Sequence, residues 1–82
     1  MAEISMLYFA GLRDLLGIES ETLQIPQGSN IAALQAILLK AHPTLEGHLE
    51  SVRFARNEEF ATNEDVLSPG DTVALIPPVT GG

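Results

Sequence analysis

The chain is 82 residues long, 45% hydrophobic and free of cysteine, with a formal charge of -7 from four basic and eleven acidic side chains. This length holds one modest core, and the charge has the wrong sign for gripping a nucleic-acid backbone. Lack of cysteine rules out disulfides, thiolate nucleophiles and cysteine metal sites, and the apolar runs stop short of the ~18 residues a membrane span needs.

Met1-Ala2-Glu3 opens with neither a basic start nor an apolar signal core, so a cytoplasmic location is expected. Residues 3–9 are strand formers that alternate Ile4, Met6 and Tyr8 on one side with Ser5, Leu7 and Phe9 on the other. Ala10 to Gly17 reads as a short helix, with Leu12, Leu15 and Leu16 at helical spacing and Gly17 suited to a left-handed end. A second strand is expected over 19–25, stopped by Pro26-Gln27-Gly28.

Ser29 or Asn30 caps the main helix, where Ile31, Leu34, Ile37, Leu38 and Ala41 recur on one face and His42-Pro43 ends the run. After an irregular stretch from Thr44 to Glu50, Val52 and Phe54 mark a third strand, and Asn57-Glu58 turns the chain into a brief fourth around Phe60. Ser68-Pro69-Gly70-Asp71 has proline and glycine at the central positions of a type II turn, ahead of a last strand over 72–76. The order predicts an α+β fold, with one main helix across one face of a mixed five-stranded sheet and a short helix after the first strand. That is a β-grasp, spanning residues 1–76, with 77–82 as a tail.

Little in this body suggests internal catalysis. There is no phosphate loop and no nucleophile motif, and no metal site is expected. His42 and His48 lie six apart across Pro43 and Gly47, unlike a helical metal pair, and read as loop residues. The acidic pairs Glu58-Glu59 and Glu64-Asp65 read as solvated charge.

The unusual feature is the ending Pro77-Pro78-Val79-Thr80-Gly81-Gly82. Two prolines stop the last strand and hold an extended arm away from the sheet. The six residues after Ile76 reach on the order of 20 Å. Without Cβ atoms, Gly81 and Gly82 pass through a narrow channel and leave the Gly82 carbonyl open to attack. A free carboxylate is a poor acyl acceptor, so reaction at Gly82 requires activation, as an acyl-adenylate made by a separate ATP-using enzyme. Such a tail also fits a frayed terminus, the plainer reading of a bare Gly-Gly.

The chain resembles the small, sulfur-carrier subunits of molybdopterin synthase, a ubiquitin-like β-grasp family, over essentially its whole length. The resemblance rests on Pro77-Pro78-Val79-Thr80-Gly81-Gly82 and on Tyr8-Phe9-Ala10-Gly11-Leu12-Arg13-Asp14-Leu15-Leu16-Gly17, with the Asn57 and Ser68-Pro69-Gly70-Asp71 turns in family positions. It implies that Gly82 is adenylated by an E1-like enzyme, converted to a thiocarboxylate with sulfur from a desulfurase or rhodanese type donor, and delivered by the tail into the large catalytic subunit. There the sulfur goes to cyclic pyranopterin monophosphate, two sulfurs forming the dithiolene that binds molybdenum. It also implies a heterotetramer, and a chain that is a non-catalytic, sulfur-donating subunit with no cofactor of its own, ATP being used by the activating enzyme.

If Val73 and Leu75 face the helix, then Thr72, Ala74 and Ile76 face outward. Phe9 and Phe60 join Ile76 on this face, with the Arg13 guanidinium nearby, as an apolar interface with a charged edge. The alternative is that Phe9 and Phe60 complete a small core. Other functions compatible with the same tail are a ubiquitin-like protein modifier, a sulfur carrier of another pathway such as thiamine synthesis, and a plain interaction module.

Overall fold

Five strands and two helices follow one another as β1 (Ala2–Tyr8), α1 (Ala10–Leu16), β2 (Ser20–Ile25), α2 (Ile31–Ala41), β3 (Arg53–Arg56), β4 (Glu59–Ala61) and β5 (Thr72–Ile76). This computed structural model describes residues 1–78; Val79, Thr80, Gly81 and Gly82 lie outside the described residues. The expected order of elements holds, with boundaries within about a residue.

The strands form one sheet in the order β2-β1-β5-β3-β4. β1 and β5 run parallel at its centre, and the other pairings are antiparallel. The α+β β-grasp read from the sequence is therefore the observed architecture. The parallel central pair brings the last strand back beside the first, so the root of the tail emerges next to the β1–α1 corner.

The strand alternation read from β1 is observed: Ala2, Ile4, Met6 and Tyr8 are buried. With Ile25, Phe54, Val73 and Leu75 they pack beneath Ile31, Leu34 and Leu38 of α2 and Leu12 of α1. Asn30 is the cap of α2, its side chain accepting the Ala33 N–H at 2.9 Å. Gly17 ends α1 at φ 76, the left-handed geometry that glycine adopts without a steric cost.

The stretch read as irregular contains two 3₁₀ turns, Pro43–Leu45 and Leu49–Ser51. They bury Leu45 and Leu49, which join the core along with Leu67. Single leucines in short turns carry no periodic signal, so only the folded arrangement reveals them as core.

Two turns near β5 are tied together by one carboxylate. Ser68 to Asp71 closes the expected turn, with Gly70 at φ 89 and the Asp71 N–H donating to the Ser68 carbonyl at 3.1 Å. Buried Asp71 accepts from the Ser68 N–H at 2.8 Å, from Asn57 Nδ2 at 3.0 Å and from Arg56 Nε at 3.1 Å. Asn57 Oδ1 in turn accepts the Thr72 N–H at 2.9 Å. Burial on its own pushes the Asp71 carboxyl up, but the Ser68 and Asn57 hydrogen bonds and the Arg56 charge outweigh it and hold the group below the ordinary aspartate range.

Because the folded value lies below the unfolded one, this stabilisation is fully present above the ordinary aspartate pKa of about 4 and is lost as the pH falls through the folded value. Asp71→Ala is expected to cost about 1–3 kcal/mol at neutral pH, since it strands three donors. Melting curves measured down the acid limb are expected to show wild type and variant converging. A constant gap at every pH would show that the charge of Asp71 contributes nothing.

Candidate functional site

The outward face of the sheet divides by strand. On the β2 side it carries Ser5, Thr22, Gln24 and Glu3, with Gln24 Nε2 donating to Glu3 Oε1 at 3.0 Å. On the other side, register aligns Leu7 with Ala74, Ala74 with Ala55, and Ala55 with Phe60. Period-two pleating puts these four side chains in one row on the face away from α2. The two alanines form a low floor between the taller Leu7 and Phe60.

The result is an apolar depression of about 380 Å³, lined also by Phe9, Ile76 and Thr72, with Asn57 and Glu58 at its edge. Phe9 and Phe60 are 46% and 63% exposed, which places them outside the core and on this surface. Ile76 is half-buried on the same face. The structure thus brings together three of the four residues read as an interface.

Arg13 is the exception. It stands on α1 with Nη1 3.9 Å from Glu19 Oε2, both side chains exposed, in a separate open depression with Asp14 and Ile18. The guanidinium beside Phe60 belongs to Arg53, stacked 4.3 Å from the ring centroid and paired in register with Ile76. Arg53 was missed although strand parity pointed to it: with Phe54 inward, residues 53 and 55 must face out. Exposed cation–π contacts contribute about 0.5–1 kcal/mol, enough to bias the Phe60 rotamer.

β5 ends at Ile76, where Pro77 and Pro78 offer no N–H to continue pairing. Ile76 therefore marks both the rim of the apolar depression and the root of the tail. Gly82, Gly81, Thr80 and Val79, on which the carrier chemistry was placed, are outside the described residues.

The sheet's inner side holds a polar cluster that the sequence did not reveal. The Tyr8 hydroxyl donates to Glu21 Oε2, and His42 Nε2 lies 2.6 Å from that same oxygen. The His42 ring meets the Tyr8 ring edge-on, with centroids 6.2 Å apart. Burial, then the hydrogen bond and charge of Glu21, hold the Tyr8 phenol well above its ordinary range. His42, read as a loop residue, thus joins the end of α2 to β1 and β2. Among the described residues, no three metal-ligating side chains cluster, and no helix is long and apolar enough to cross a membrane.

Comparison with known proteins places this geometry in context. Residues 6–82 match the ThiS family. The chain is 37% identical to the molybdopterin synthase sulfur carrier subunit of Chlamydomonas reinhardtii, over 98% of this chain and 99% of that one. Among solved structures it resembles SAMP1 of Haloferax volcanii, with a TM-score of 0.90 at 26% identity, covering 99% of this chain and 100% of that one. It also shares its fold with a chain in the complex of subunits 1 and 2 of the molybdopterin-converting factor from Helicobacter pylori, with a TM-score of 0.72 at 23% identity over 98% of this chain and 99% of that one. The full-length match, the β-grasp sheet and the ending Gly81-Gly82 agree: the chain belongs to the ThiS family and is similar to the sulfur carrier subunits of molybdopterin synthase.

Proposed function

We propose that the chain is the sulfur carrier subunit of molybdopterin synthase and that Gly82 holds the sulfur as a thiocarboxylate. The similarity to a molybdopterin synthase sulfur carrier subunit over 98% of this chain carries the reading. A Gly82 carboxylate oxygen attacks the α-phosphorus of ATP on an E1-like enzyme, and pyrophosphate leaves. The terminal sulfur of a persulfide on a desulfurase or rhodanese type donor then attacks the acyl carbon and AMP leaves; a second thiol attacks the resulting acyl disulfide, forming a disulfide and releasing Gly82 as the thiocarboxylate. Adenylation is needed because a free carboxylate has no leaving group that a sulfur nucleophile can displace.

The sulfur-loaded tail then enters the large catalytic subunit and yields its sulfur to cyclic pyranopterin monophosphate, water cleaving the thioester so formed and returning the Gly82 carboxylate. The depression formed by Phe9, Phe60 and Ile76 docks this subunit, with Arg53 at its edge and Arg13 as an outlying contact. Two exposed aromatics and a guanidinium around a small apolar floor are the residue types that anchor interfaces, and the Helicobacter pylori neighbour is itself found in a two-subunit complex. Pro77 to Gly82 contain no charged side chain, so only the terminal group enters the cleft as a charge.

Incubation with an activating enzyme, ATP and a sulfur donor is expected to replace one oxygen by sulfur in the C-terminal peptide, read by intact and fragment mass spectrometry. An unchanged mass beside an active control carrier would sink the reading. The likeness to SAMP1, a small archaeal modifier protein, supports a second reading in which activated Gly82 forms isopeptide bonds. Recovery of Gly82 joined to lysines of other proteins would favour it.

A further inference from the structure

A second apolar surface flanks the root of the tail on the side of the helices. Leu12, Leu15, Val52, Pro77 and Pro78 line a groove of about 310 Å³ between α1 and the Leu49–Ser51 turn, with His48 at its rim. Core contacts of α1 are made by buried Leu12 and by Leu16. Leu15 is 38% exposed and contributes little to that core. Ser51 Oγ donates to the His48 carbonyl at 3.2 Å, which ties this wall of the groove together.

We propose that this groove is a second docking surface for the large catalytic subunit, receiving an apolar side chain. The inference rests on the carrier reading and extends it to Leu15 and His48, which have no other assigned role. Ile76 lines the sheet depression and the next two residues line the groove, so the two surfaces meet across the root of the tail. Four residues follow Pro78, a reach of about 13 Å. A subunit that draws the Gly82 carboxylate into an internal cleft must therefore bring its surface within that distance of Pro78. Such a surface covers the ground on both sides of the tail, the groove included.

No lysine, arginine, aspartate or glutamate lines the groove among the described residues. An apolar contact is favoured there, and a charge placed in it is desolvated at a cost.

The test compares three substitutions that each add one negative charge to the full-length chain: Leu15→Asp, His48→Glu, and Leu39→Asp on α2 as the control. Leu39 is 36% exposed, matching Leu15, and lies outside the groove. Titration calorimetry against the large subunit is expected to show Leu15→Asp and His48→Glu binding about tenfold more weakly, a change of ~1.4 kcal/mol, and Leu39→Asp binding like wild type. If Leu15→Asp loses its melting transition, His48→Glu decides alone.

Unchanged affinity in the groove variants, or an equal loss in Leu39→Asp, overturns the groove while leaving the carrier reading intact. A wild-type chain that does not bind the large subunit brings down both.

Discussion

Deleting Gly82 is expected to reduce sulfur transfer at least about 10²-fold while leaving the melting transition in place. The deletion variant still ends in a glycine, Gly81, so its terminal carboxylate keeps much the same intrinsic reactivity. What changes is reach, which shrinks by about 3.3 Å. Misplacing a reacting atom by about 1 Å can already cost about 10²-fold, so a shortfall of a whole residue outweighs any change in intrinsic chemistry. Among the described residues, the buried apolar side chains lie between Ala2 and Leu75, which is why stability is expected to survive. Single-turnover assays of thiocarboxylate formation and sulfur delivery check this. Wild-type rates in the deletion variant would mean that Gly82 is not the reacting residue.

The second large effect is expected at Phe60. Phe60→Asp is predicted to weaken binding to the large subunit by at least about 2 kcal/mol, roughly 30-fold, the scale of an aromatic anchor lost from an interface centre. The side chain is 63% exposed, so little core packing goes with it. The cation–π contact with Arg53 that disappears is worth only about 0.5–1 kcal/mol. The binding loss should therefore exceed the folding loss, which equilibrium unfolding and calorimetry on the same sample separate. Equal losses in both would return Phe60 to a structural role. Arg53→Ala is the smaller companion, removing the charged edge and leaving the apolar floor.

Those expectations draw on parts of the molecule that were unequally legible. The run Ile31, Leu34, Leu38 showed its helical face because three-and-four spacing is local, and these are the side chains of α2 that are buried. Asn57-Glu58 was legible as a turn, though both residues adopt positive φ, at 50 and 73. Asparagine is tolerated there and glutamate is not a typical choice. The side chain of Asn57 offsets this by bonding Asp71 and Thr72, partners fourteen and fifteen residues away that no local pattern connects.

The choice between Arg13 and Arg53 shows the same limit. Both are basic residues near apolar ones in sequence, and Arg13 lies closer to Phe9 along the chain. Only the pairing of β3 with β4 and β5 carries Arg53 over Phe60 and beside Ile76. The Tyr8, Glu21 and His42 cluster likewise joins three elements whose proximity depends on the fold.

From the sequence alone came the elements, the α+β class, the absence of cysteine chemistry and the prominence of the Gly81-Gly82 ending. These follow from side-chain period, turn stereochemistry and composition, all properties of neighbouring residues. The tertiary structure decided which outward residues share one depression, which guanidinium borders it, and that a second groove lies across the tail's root. Those depend on strand order and register, which are set by long-range packing of the whole core.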